Sequence, residues 1–185
     1  MNHKESKKYK TRDLVVIALF AVLMAVCAWI SIPSVVPFTM QTFAVYFALL
    51  FLGAKRGTVA VIVYLCLGLI GAPVYANFNS GIGTLLGATG GYMIGWLFSG
   101  LVMWLFEKLF GEKTWVQAVS VAAGLLVCYT VGTAWFMVVY ARNTGPIGLW
   151  TALGWCVIPF IIPDIIKLSL AFVLNHRLSK MKKSI

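Results

Sequence analysis

At 185 residues the chain has single-domain length, and only 11% of it is charged while 61% is hydrophobic, against roughly 25% charged in a soluble domain. The formal net charge of +10 does not mark a nucleic-acid binder, because the basic residues cluster at the ends of long apolar runs. That pattern excludes a soluble fold and predicts an all-α integral membrane protein.

The first 13 residues form a basic segment containing Lys4, Lys7, Lys8, Lys10 and Arg12. A first helix is predicted over Leu14–Ile32, retained as a span rather than removed as a signal peptide. Within it Ala21 and Ala25, with Ala18 and Ala28 nearby, form a small-xxx-small stripe. Such a stripe allows close helix approach, either to a partner or inside the bundle. A proline-rich loop, SIPSVVPFT, leads to two short helices, Phe38–Gly53 and Gly57–Gly71. The next loop, APVYANFNSGIGTLLGATGGY, holds five glycines between Gly81 and Gly91 but also many apolar residues. It reads as a lid or re-entrant cap, with Gly81 in a stretch where backbone can approach a ligand closely. Three further helices follow over Gly90–Phe110, Trp115–Tyr140 and Trp150–Leu174, then a basic tail over residues 177–185.

The predicted organisation is a six-helix transmembrane binding domain over residues 14–176 between two basic ends; a four- or five-span arrangement is the alternative. With both ends in the cytoplasm, Lys55, Arg56, Lys108 and Lys113 join the terminal clusters on the inner side, and Arg142 alone lies outside. The positive-inside rule favours that orientation.

Four of the five acidic residues, Glu5, Asp13, Glu107 and Glu112, lie at helix ends or in terminal segments. The fifth, Asp164, lies in the last apolar run with Lys167 three residues on, behind Pro159 and Pro163. A charged side chain at a helix centre costs about 2.5–3.5 kcal/mol on insertion scales. At this spacing the two share a helix face. They form either an internal ion pair or the polar floor of a ligand cavity. Pro163 is a candidate first helical residue, which would aim free backbone amides at the same place. Gln41, Asn77, Asn79, Thr89 and Tyr92 are further polar candidates, and Trp135, Phe136 and Trp155 are candidate aromatic walls.

Cys27, Cys66, Cys128 and Cys156 all lie in apolar runs without a CxxC pair, and His3 and His176 stand at opposite ends. Neither a disulfide framework nor a metal site is expected. GEKT at Gly111 lacks the upstream glycine of a nucleotide loop, and GIGTLLG follows no strand. Neither a catalytic pair nor a resident cofactor is indicated, so the chain reads as a binding protein without its own motor. A self-sufficient proton-coupled carrier or channel, and a membrane scaffold without ligand, remain the competing classes.

Five stretches, PFTMQTF (Pro37–Phe43), LGAKRG (Leu52–Gly57), YLCLGLIGAPVYA (Tyr64–Ala76), GATGGYMIG (Gly87–Gly95) and PFIIPDIIK (Pro159–Lys167), together resemble the BioY family. These are the biotin-capturing S components of energy-coupling factor (ECF) transporters. The chain departs from the family at Ala88, where proline is common, and at Pro163, where glycine is frequent. The resemblance implies a six-helix S-component bundle that binds biotin from outside under the glycine-rich loop, in the cell membrane. It also implies docking, through the alanine-bearing first helix, onto a transmembrane coupling subunit driven by two ATPases; ATP is used only by those partners. Asp164 is then expected to accept from a ureido N–H of biotin, while Lys167 donates to the ureido carbonyl or holds Asp164. Asn79 would add a bond from the loop, and Gln41, Tyr92 and Gly81 complete the expected binding set.

Overall fold

A chain in lipid must satisfy its backbone hydrogen bonds internally, and long apolar runs do so as helices. The computed structural model describes residues 10–32 and 36–183. The basic residues Lys4, Lys7 and Lys8, with His3 and Glu5, lie outside the described residues. So do the side chains of Lys180, Lys182 and Lys183. The elements in chain order are α1 (Thr11–Trp29), β1 (Ser31–Ile32), β2 (Phe38–Thr39), α2 (Gln41–Phe51) and α3 (Ala54–Leu69). A 3-10 turn (Ala76–Phe78) then precedes α4 (Gly81–Leu86), α5 (Gly90–Phe110), α6 (Thr114–Asn143), α7 (Leu149–Cys156) and α8 (Ile158–Lys183).

Among the described residues four segments are long and apolar enough to cross a membrane: Thr11–Trp29, Gly90–Phe110, Thr114–Asn143 and Leu149–Ser179. α2 and α3 are shorter, as their sequence suggested. α2 lies at the centre, with nine of its eleven residues buried, in contact with α1, α3, α5 and α8.

Helix approach depends on small residues. The most extensive pairing is α5 with α6. There Gly95 lies against the Cys128 backbone, Gly124 against Ser99, and Gly132 under the Tyr92 ring. Ser99 donates to the Gly124 carbonyl at 2.7 Å and accepts from Tyr46 at 3.2 Å, tying α2, α5 and α6 together. Between α2 and α3 the critical position is Gly57: a Cβ there would sit 2.5 Å from Leu49 Cα and 2.8 Å from its nitrogen. Backbone, unlike a flexible side chain, cannot swing aside. Gly57→Ala is therefore expected to destabilise the bundle by about 1–3 kcal/mol, read as a lowered melting temperature in detergent. An unchanged melting temperature would mean that the α2–α3 approach is looser than this.

At one end of the bundle both carboxylate oxygens of Glu107 accept the Ala54 N–H, at 3.0 and 2.9 Å. An α5 side chain thereby caps α3, occupying an amide that has no partner within its own helix.

The opposite end carries the two loops read as outer. Within SIPSVVPFT, β1 and β2 pair antiparallel with Ser31 opposite Thr39, so Phe38 lies in a strand and the second helix starts at Gln41. The glycine-rich stretch likewise contains the 3-10 turn and α4. Trp29 donates to the Pro73 carbonyl at 2.9 Å, Ser31 donates to Asn77 Oδ1 at 2.8 Å, and the Trp29 and Phe78 rings stack at 5.0 Å. Trp135 donates from α6 to the Gly87 carbonyl at 2.9 Å. Asn77 and Phe78 both take positive φ, 57° and 58°, which a phenylalanine rarely adopts. The ring stack and the Ser31 bond offset that strain.

The last apolar run differs from its sequence reading in one respect. The helix break falls at Val157 (φ −125°, ψ −56°), so Pro163 lies inside α8 and is not its first residue. Pro159 instead occupies the opening turn, where a missing N–H leaves no helical bond unmade.

Candidate functional site

The helices enclose a cavity of about 270 Å³ beneath the two loops. Its deep wall comes from α6, α7 and α8, through Cys128, Tyr129, Cys156, Phe160 and Asp164; α5 contributes Tyr92, Met93 and Trp96. The loop side contributes Thr39, Gln41, Asn77, Asn79, Thr84 and Thr89, among others.

Asp164 is the only charged residue lining the cavity among the described residues, and it is just 3% exposed. It is held from two sides. Lys167 Nζ donates to Oδ1 at 2.9 Å, one helical turn along α8, and Tyr129 Oη donates to Oδ2 at 2.7 Å from α6. Burying two charges is unfavourable unless geometry and added hydrogen bonds compensate, and here both ions are partnered. A carboxylate offers about four acceptor positions, and these bonds use two. The others remain available to N–H donors in the cavity.

Gln41, 5% exposed, opens α2. It donates from Nε2 to Tyr64 Oη and accepts from Thr39 at 3.0 Å, while Tyr64 donates to the Val74 carbonyl at 3.0 Å. The cavity wall is thus bonded to the root of the glycine-rich loop. Tyr92 shares a 3.0 Å bond with Thr133, and Asn79 donates to the Ala76 carbonyl at 3.0 Å.

Asp164, Asn79, Gln41 and Tyr92 therefore line one space. Two other expected residues do not. Lys167 lies behind Asp164, which leaves its anchoring role and removes direct lining of the cavity. Gly81 starts α4 with φ 82° and is absent from the wall; its glycine serves the turn. The aromatic walls also differ: Tyr92, Trp96, Tyr129 and Phe160 line the cavity, whereas Trp135 pins the loop, Phe136 packs in one cluster with Phe160 and Cys156 without lining it, and Trp155 meets Tyr140 edge-on. Phe38 stacks on Phe160 at 4.1 Å, so the β-hairpin is seated on α8 beside the cavity. Tyr129 was missed by sequence reasoning. Its signal was present, since Tyr129 and Thr133 are one turn apart as polar residues in an apolar run.

The stripe of Ala21 and Ala25, for which docking was expected, packs inward in the chain by itself. They are 1% and 4% exposed, inside the chain's own core, where α1 meets α2 and α3. The face that α1 leaves open carries Val15, Leu19, Val22 and Val26 instead.

A sequence model of the BioY family matches residues 1–184. This chain belongs to the BioY family. It is 38% identical over 172 residues to the biotin transporter BioY of Thermotoga maritima, covering 92% of this chain and 98% of that one. It is 36% identical over 170 residues to a probable biotin transporter BioY of Pyrococcus horikoshii, covering 91% and 97%. A crystal structure at 2.1 Å of the S-component for biotin from an ECF-type ABC transporter superposes with a TM-score of 0.80 at 30% identity, covering 91% of each chain. The Asp164–Lys167 pair, the glycine-rich loop and the buried α2 are thus features of a BioY chain.

Proposed function

We propose that this protein is a high-affinity biotin-capture subunit, the S component of an ECF-type importer, and that it passes biotin to a coupling module carrying the ATPases. One observation carries the reading: in a BioY family member, a buried carboxylate held by Tyr129 and Lys167 opens onto a partly aromatic cavity with no other charged lining residue among those described. Biotin's ureido ring presents two N–H donors and one carbonyl on a largely apolar bicycle. Asp164 accepts from a ureido N–H, while Lys167 and Tyr129, which both donate to it, hold its carboxylate in place. Asn79 and Gln41 bond the ligand or the loop above it.

The chain lies in the cell membrane with six crossings and both termini cytoplasmic, a topology supported by its distribution of basic residues. α2 is too short for a lipid-exposed span, but protein surrounds it on most sides, so bilayer thickness does not set its length.

Titration of the purified chain with biotin should show one tight site. Vesicles containing the chain alone should show no ATP-driven accumulation, which should appear on adding a coupling subunit and its ATPases. Absence of biotin binding would overturn the reading. ATP-driven uptake by the chain alone would do so as well.

A further inference from the structure

The cavity is chemically lopsided. Its deep end holds the acidic side chain, Asp164, already partnered by Lys167 and Tyr129. Its other end is marked by Asn77 and Asn79, which line the cavity and are also solvent-exposed, so the mouth lies there. Among the described residues no lysine, arginine or histidine lines this space. Residues 33–35, outside the described set, are proline, serine and valine and bring no cation.

Asn77 uses its oxygen to accept from Ser31, and Asn79 uses one N–H on Ala76. Each side chain keeps an N–H donor, but a neutral one. A carboxylate drawn deep into such a cavity would lose its water and gain no counter-charge, which is strongly unfavourable. The acid end of a ligand whose ring occupies Asp164 therefore stays at the wet mouth, among neutral amides.

We infer, resting on the biotin reading above, that the site recognises the ring and not the charge of the tail. Its ligand class extends to biotin derivatives whose carboxylate has become an amide, including amide-linked conjugates that leave through the mouth. An amide supplies a carbonyl to the same neutral donors and needs no cation.

The test is titration of the purified full chain with biotin and with biotinamide, at ionic strengths of about 0.01 M and 1 M, which change the screening length about tenfold. The two affinities are expected to agree within about tenfold, and biotin's affinity to be nearly independent of salt. A biotinamide affinity more than about tenfold weaker, or a steep salt dependence for biotin alone, would overturn the inference while leaving biotin binding intact. Failure of both ligands to bind would overturn the biotin reading and this inference with it. Asn77→Asp gives a second measure, because aspartate also tolerates positive φ and still accepts from Ser31. It should weaken biotin more than biotinamide; an unchanged ratio would place the carboxylate elsewhere and count against the inference.

Discussion

Replacing Asp164 with asparagine is expected to weaken biotin binding by about ten- to a hundredfold, the equivalent of roughly 1.5–3 kcal/mol for a lost charge-assisted hydrogen bond. Asparagine keeps the shape but offers one acceptor oxygen and turns an NH₂ group toward ligand donors. The same change leaves Lys167, 9% exposed, without its counter-charge, which costs about 3–5 kcal/mol of stability when a buried pair is broken from one side. Affinity and stability would then fall together and confuse the outcome. Adding Lys167→Met separates them. The double variant no longer buries an unpaired ammonium, so its melting temperature should recover most of the loss, while biotin affinity stays low. Calorimetric titration and thermal unfolding on both variants decide the matter. Near-normal affinity in the folded double variant would remove Asp164 from the site.

The parts of this molecule that were legible in the sequence are those fixed by the cost of leaving charge or backbone unsatisfied in lipid. The helical runs follow from apolar length, and Asp164 with Lys167 stand out because isolated charges at membrane depth need a reason. Tertiary neighbours were harder to see. Tyr129 donates to Asp164 from another helix, and no pattern within α8 announces that partner. Gly81 belongs to a glycine-rich loop, yet glycine serves turns as readily as ligand approach, and here it serves the turn. In the last run, proline chemistry pointed to a helix start at Pro163, and the break falls earlier. The choice of Val157 over Pro163 depends on the packing of α7 and Phe160, which sequence spacing does not encode. Ala21 and Ala25 show the same limit most clearly, since a small-residue stripe predicts close approach without saying to what.

Ala21→Trp and Ala25→Trp should each lower the melting temperature by about 5–10 °C, and biotin affinity should fall with it. Both alanines sit in the core, 1% and 4% exposed, on a helix whose Phe20 already packs on Phe47 at 5.4 Å and Phe51 at 5.7 Å. An indole at either position has no space to enter, because protein interiors are close-packed. It must displace α1 from α2, and α2 carries Gln41 into the cavity wall, so the binding site is disturbed through the same shift. Leu19→Trp and Val22→Trp are the controls. Those residues are 61% and 57% exposed, so a tryptophan there extends outward from the bundle and should leave both melting temperature and biotin affinity unchanged. Any loss of complex formation with a coupling subunit by the control variants then reports on the outer face of α1 itself. If Ala25→Trp instead keeps full stability and affinity while the exposed-face variants lose them, the packing of α1 described here is wrong, and the alanine stripe faces out.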